Sequence, residues 1–207
     1  MQGGAVMDSY GKVYKDFLES KKVIVEASGF DCDHINSNLF QFQHDIVRWA
    51  LKKGKAAIFS NTGTGKTFMQ LSWADCVAKH TSGNVLILAP LAVNRQTVEE
   101  GEKIGIEVNL CRTQADVKSG INITNYEMME HFDPSTFHGV VLDESSILKS
   151  YAGKVRNAII QAFQDMPYRL ACTATPAPND YSELGNHAEF LGVMRRTDML
   201  ATFFVHD

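Results

Sequence analysis

No run in this 207-residue chain reaches the ~18 consecutive apolar residues that a membrane-spanning helix needs. The N-terminal stretch MQGGAVMDSYGK lacks the basic start and apolar centre of a secretory signal. No C-x-x-C pair occurs either. Cys32, Cys76, Cys111 and Cys172 stand far apart, which argues against a disulfide frame and for free thiols in a reducing compartment. Asp31-Cys32-Asp33-His34 gathers metal-capable groups, but its crowding suits a polar loop better than a metal site. Basic charge is not in excess: 20 Lys and Arg face 24 Asp and Glu, for a net charge of −4. That excludes a global electrostatic footprint for nucleic acid and leaves room only for a local contact strip. Repeats and low-complexity tracts are absent too. These absences predict a soluble, cytoplasmic protein with no membrane partner.

What is present is ordinary globular composition, with 44% apolar and 21% charged residues, in a length suited to one domain with an appendage. Short apolar runs alternate with helical patterns. Strands are predicted at Ala56–Phe59, Asn84–Ala89, Glu107–Leu110, Ile121–Thr124, Val140–Leu142 and Arg169–Cys172. Helices are predicted at Lys66–Lys79, Val93–Ile104, Lys154–Phe163 and from Tyr181 to Leu191. This alternation predicts an α/β fold, a mostly parallel sheet with helices on both faces and ligands at the C-terminal strand ends. Residues 1–36 do not join the alternation. They read as an extension with a helix at Ser9–Ser20 and a strand at Val23–Val25.

Between the first strand and first helix of that series lies Ser60-Asn61-Thr62-Gly63-Thr64-Gly65-Lys66-Thr67. This is the layout of a phosphate-binding P-loop. Gly63 and Gly65 permit backbone angles that side chains forbid, so successive amides, including those of Thr62 and Thr64, can converge on phosphate oxygens at a helix N-terminus. Lys66 is placed to reach the β- and γ-phosphates, and the Thr67 hydroxyl to ligate Mg²⁺. ATP and Mg²⁺ are the cofactors expected.

Gly139-Val140-Val141-Leu142-Asp143-Glu144 is an apolar strand ending in two carboxylates. Opposite a P-loop, Asp143 would hold the metal ion and Glu144 would act as general base on the attacking water. A P-loop kinase of small metabolites needs no such glutamate, so the pair favours hydrolysis.

With these motifs in view, residues 37–191 resemble superfamily-two helicases and translocases, and within them the Swi/Snf-type group. The resemblance is carried by Leu39-Phe40-Gln41-Phe42-Gln43, by Ala89-Pro90-Leu91-Ala92-Val93-Asn94-Arg95-Gln96 and by Ile123-Thr124-Asn125-Tyr126-Glu127. It continues in Asp143-Glu144-Ser145-Ser146-Ile147-Leu148-Lys149-Ser150 with Gly153-Lys154, and in Thr173-Ala174-Thr175-Pro176 with Asn179 and Glu183-Leu184. It implies a RecA-like P-loop NTPase domain in which Gln43 reads adenine. It also implies that Pro90, Asn94, Arg95, Thr124 and Tyr126 meet a nucleic-acid backbone. Thr173 and Thr175 then couple the nucleotide state to that path. Tyr126 reads equally well as a core or rim aromatic. Ser145-Ser146 departs from the family's Ala-His, and Ser150 from its Asn. The wording of YKDFLESKK and FQHDIVRWALKKGKAAIF is similar to phage and prophage members, which would place the protein in a host-cell cytoplasm.

Such motors have two RecA-like lobes, with ATP between them and an arginine finger on the second. Sixteen residues follow Leu191, too few for another lobe. The organisation expected is an N-terminal extension at 1–36, an ATP-binding lobe at 37–194 and the start of a linker at 195–207. The activity expected is that of a half-motor: ATP binding, weak hydrolysis alone, and double-stranded DNA as the partner of the two-lobe form. A DEAD/DEAH-type strand-separating helicase and a nucleotide-binding module without motor activity are the alternatives.

Overall fold

The computed structural model describes residues 12–19, 25–149 and 153–204. Outside them fall Val23 and Ile24 of the expected N-terminal strand, the ends of the expected helix at Ser9–Ser20, and Ser150. The side chains of Lys149 and Lys154 also fall outside. Helix α1 spans 12–19, and Val25 is irregular.

Six strands form one sheet: β1 (Lys55–Phe59), β2 (Asn84–Ala89), β3 (Val108–Leu110), β4 (Ile121–Asn125), β5 (Phe137–Asp143) and β6 (Tyr168–Thr173). Every pairing is parallel, in the order β1-β6-β5-β2-β4-β3. Helices α2 (Gln41–Lys53), α3 (Lys66–Thr81), α4 (Asn94–Lys103), α5 (Gly153–Ala162), α6 (Leu184–Leu191) and α7 (Arg196–Phe203) complete it. Strand side chains alternate between the two faces, and both faces are apolar because both are covered. On β2, Val85, Ile87 and Ala89 enter one core with α2 and α3, while Leu86 and Leu88 enter the other with α5 and α6. Strand β5 runs three residues further back than the apolar run Val140–Leu142, taking in buried Phe137 and Gly139. The helical stretch predicted from Tyr181 divides into a 3-10 turn, Tyr181–Glu183, and α6. Part of the segment expected to open a linker forms α7, packed against α6 with the Arg196 side chain over Gly185.

Residues 28–36 pack onto the sheet domain. The amides of Ser28, Gly29 and Phe30 donate to the carbonyls of Lys53, Lys52 and Leu51 at 3.1–3.2 Å, satisfying the exposed end of α2. Phe30 stacks on His80 with centroids 3.7 Å apart, and the Cys32 thiol meets that of Cys76 at 2.9 Å. All four cysteines are thiols. Among the described residues, no three His, Cys, Asp or Glu side chains converge as a metal requires, and no helix is long and apolar enough to cross a membrane.

Candidate active site

The strand order decides what meets what. β6 lies between β1 and β5, with Phe59 beside Thr173 and Asp143 beside Cys172. The turn leaving β1 and the carboxylates ending β5 therefore face each other across Thr173.

That turn is shaped by backbone demands. Gly63 and Gly65 have φ of 79° and 78°, in the left-handed region that glycine enters freely. At Gly65 a Cβ would also collide with the Gln43 carboxamide, whereas at Gly63 it would meet nothing. Thr64 Oγ1 donates to the Asn61 carbonyl at 2.8 Å and bonds the Ser60 hydroxyl at 2.8 Å. Lys66 Nζ donates to the carbonyls of Ser60 and Asn61 at 2.9 and 3.0 Å, which holds the ammonium in the curl of the loop. The loop opens α3, whose first-turn amides lack helical partners and favour an anion.

On the facing wall Asp143 is buried. Burial pushes its carboxyl up to about 6, helped by the adjacent Glu144 charge and opposed by Gln70 and Lys66. Thr173 Oγ1 donates to Glu144 Oε2 at 3.3 Å and accepts the Thr175 amide at 3.1 Å. The Thr173 carbonyl accepts the Ser60 amide at 3.2 Å. One threonine thus touches both walls.

Lys66, Thr67, Asp143 and Glu144 line one cavity of about 370 Å³, with Thr62, Gly63 and Gly65 at the loop and Gln96 and Glu100 opposite. The loop backbone, one ammonium, one hydroxyl and a buried carboxylate form a donor set that fits a polyphosphate with a hard divalent cation. A cavity of about 440 Å³ lies at the other end of the sheet, by Asp133, Phe137 and Asp165. It is remote from the strand ends at which parallel sheets bind ligands.

Gln43 lies beneath the loop, 3% exposed, with its amide donating to the Thr64 carbonyl and its oxygen accepting the Phe40 amide. The expected nucleic-acid contacts divide. Arg95 is exposed and Pro90 half-buried, but Asn94, Thr124 and Tyr126 are buried. Thr124 and Tyr126 offer no surface to a nucleic acid in this conformation. The Tyr126 hydroxyl instead donates to the Asp143 carbonyl at 2.7 Å. The surface that is available is a cavity of about 460 Å³ between Leu91, Arg95, Leu110, Arg112, Asn125 and Met128. Arg112 was not among the expected contacts, and its place just after β3 is the one signal the sequence offers for it. Two further residues had no advance signal as a pair: the Ser145 hydroxyl and His187 Nε2 lie 2.9 Å apart, both buried.

Residues 34–178 match the family model described as type III restriction enzyme, res subunit. No curated protein sequence matches the chain significantly. Among solved structures, the Sulfolobus solfataricus SWI2/SNF2 ATPase core in complex with dsDNA is similar over 86% of this chain and 40% of its own, at 19% identity and a TM-score of 0.66. The UvsW helicase from bacteriophage T4 is similar over 88% and 66%, at 15% identity and a TM-score of 0.62. The Pyrococcus furiosus Hef helicase domain is similar over 73% and 36%, at 18% identity and a TM-score of 0.61. The chain spans less than half the length of the archaeal proteins among these. At such identities the likeness is one of fold.

Proposed function

The chain belongs to the family described as type III restriction enzyme, res subunit, as a superfamily-two helicase-type ATPase lobe of RecA-like fold, and from that premise we propose that residues 37–194 are the ATP-binding lobe of a Swi/Snf-type translocase acting on double-stranded DNA. The observation that carries this reading is the convergence of Lys66, Thr67, Asp143 and Glu144 on one cavity at the C-terminal strand ends. That the Sulfolobus core is a complex with dsDNA supports duplex DNA as the partner.

When bound, Mg²⁺ would supply charge neutralisation of the phosphates and ATP the bond to be broken. The loop amides from Thr62 to Thr67 and the Lys66 ammonium hold phosphate oxygens. The Thr67 hydroxyl and the buried Asp143 carboxylate would hold the cation. Glu144 accepts a proton from the attacking water, and its hydrogen bond from Thr173 fixes the carboxylate. Gln43 borders the adenine side. The lobe alone hydrolyses slowly, because a second lobe supplies the arginine finger and closes the DNA channel over Arg95.

The test is phosphate release, with and without duplex DNA, by this chain alone and joined to a second RecA-like lobe. The joined form should be DNA-stimulated, and Glu144→Gln should reduce its turnover about a hundredfold or more while nucleotide binding survives. Fast, DNA-independent hydrolysis by the chain alone would overturn the reading. Strand separation by the joined form would point to an unwinding helicase instead.

A further inference from the structure

Glu144 has a φ of 50°, in the left-handed region, shared among non-glycine described residues only with Ser82 at the end of α3. A residue with a side chain stays in such a conformation when its surroundings enforce it. Local bonds shape the turn: the Glu144 amide donates to Asp143 Oδ1 at 3.1 Å, and its carbonyl accepts the Ile147 amide at 2.9 Å. Two anchors come from distant elements. Tyr126 bonds the carbonyl just before Glu144 at 2.7 Å. His187, on α6, bonds the Ser145 hydroxyl just after it at 2.9 Å.

The second anchor is rigid. Ser145 is fully buried and His187 is 4% exposed. The imidazole and the Phe59 ring meet nearly at right angles, with centroids 5.2 Å apart and planes at 79°. Phe59 is the last residue of β1, so the same ring rests on the strand from which the phosphate loop departs. Burial draws the imidazole down to about 4, against the upward pull of the Glu183 backbone and charge, and keeps it neutral at physiological pH. A neutral imidazole in either tautomer can pair with a hydroxyl, which donates and accepts.

We propose that His187 is a positioning residue for ATP hydrolysis: through Ser145 it holds Glu144 in the left-handed turn that aims its carboxylate at the water. This rests on the reading of Glu144 as general base. The Asp143 backbone is held by its pairing with Cys172 in the sheet, and the bond from the Glu144 amide to Asp143 Oδ1 lies within the turn itself rather than at the Ser145 anchor. Releasing the Ser145 anchor should therefore misaim Glu144 and leave the cation and phosphate groups where they are. The signature is a loss of turnover at unchanged nucleotide affinity, because rate depends steeply on aim.

The experiment measures single-turnover phosphate release and N-methylanthraniloyl-ATP binding for Ser145→Ala, His187→Leu, their combination, His187→Gln and Glu144→Gln. Ser145→Ala removes one oxygen and keeps the packing, so it reports even if His187→Leu does not fold. Each single anchor variant should slow hydrolysis about tenfold, with affinity within about twofold. The combination should be no slower than either, since both remove one bond. His187→Gln, whose amide both donates and accepts, should recover most of the rate. An unaltered rate in Ser145→Ala overturns the inference, as does a parallel fall in affinity and rate. Undiminished hydrolysis by Glu144→Gln would overturn the general-base reading and this inference with it. A loss in Glu144→Gln with none in Ser145→Ala overturns the inference alone.

Discussion

The side-chain amide of Gln43 donates to the Thr64 carbonyl across 2.9 Å, while its oxygen accepts the Phe40 amide, also at 2.9 Å. One carboxamide therefore ties the start of α2 to the phosphate loop, and Gly65 must lack a side chain to let it pass. Reading adenine would fall to its second N–H and second lone pair, which at 3% exposure need the loop to shift, and guanine reverses adenine's donor and acceptor pattern. Gln43→Ala should lower stability by about 1–3 kcal/mol, from two lost bonds, and erase the preference for ATP over GTP. Calorimetry with both nucleotides checks this. Equal affinities in the unaltered chain would leave Gln43 only its role in the loop.

Lys66 is the sole side-chain cation of the loop, and its two bonds to loop carbonyls keep it in place. Lys66→Ala should weaken binding of an ATP analogue about a hundredfold, as expected for two charge-assisted hydrogen bonds. An affinity unchanged by calorimetry would mean that the phosphates bind elsewhere.

Asp143 carries a burial penalty that pH should reveal. Its carboxyl ionises near 3.8 when unperturbed and at about 6 in the fold. Between those values the folded state holds the extra proton, so this contribution to stability falls as pH rises through the window and stays lost above about 6. Asp143→Asn should therefore melt a few degrees higher than the unaltered chain at neutral pH without Mg²⁺. The gain should vanish near pH 4. His187 has the opposite sign. Its folded value lies near 4, below the usual 6.5, so its contribution is present above 6.5 and lost as pH falls toward 4. Melting curves of Asp143→Asn and His187→Gln from neutral to acid pH separate the two, and an Asp143→Asn variant no more stable at neutral pH would contradict the first.

Tyr126 is buried against the acidic turn, whereas Arg95 and Arg112 border the open cavity at the ends of β2 and β3. Tyr126→Phe should lower stability by about 1 kcal/mol and slow turnover without changing duplex affinity. Arg95→Ala and Arg112→Ala should weaken duplex binding regardless of sequence, each flattening its salt dependence by about one unit. Fluorescence anisotropy at several salt concentrations decides between them. A Tyr126→Phe variant that binds DNA poorly would return that residue to the interface.

The phosphate loop and the acidic pair were legible in the sequence because their causes are local. A glycine at a left-handed angle, a lysine opening a helix and an apolar run ending in carboxylates each depend on neighbours a few residues away. The same holds for the parallel sheet, since strands alternating with helices leave few other topologies. What period-2 patterning cannot say, in a sheet covered on both faces, is which side chains of a polar strand end turn inward. Hence Thr124, which the family resemblance put at an interface, is buried, and Tyr126, just past the strand, takes the core reading that the sequence left equally open. Only tertiary structure inserted β6 between β1 and β5, because strand order follows from packing across the whole sheet. That insertion brings Thr173 to Glu144, and the packing of α6 beyond it brings His187 to a serine 42 residues earlier in the chain. Sequence spacing picked out the groups proposed here for the chemistry. The contacts that aim them join residues with no local relation, and folding alone put them within reach of one another.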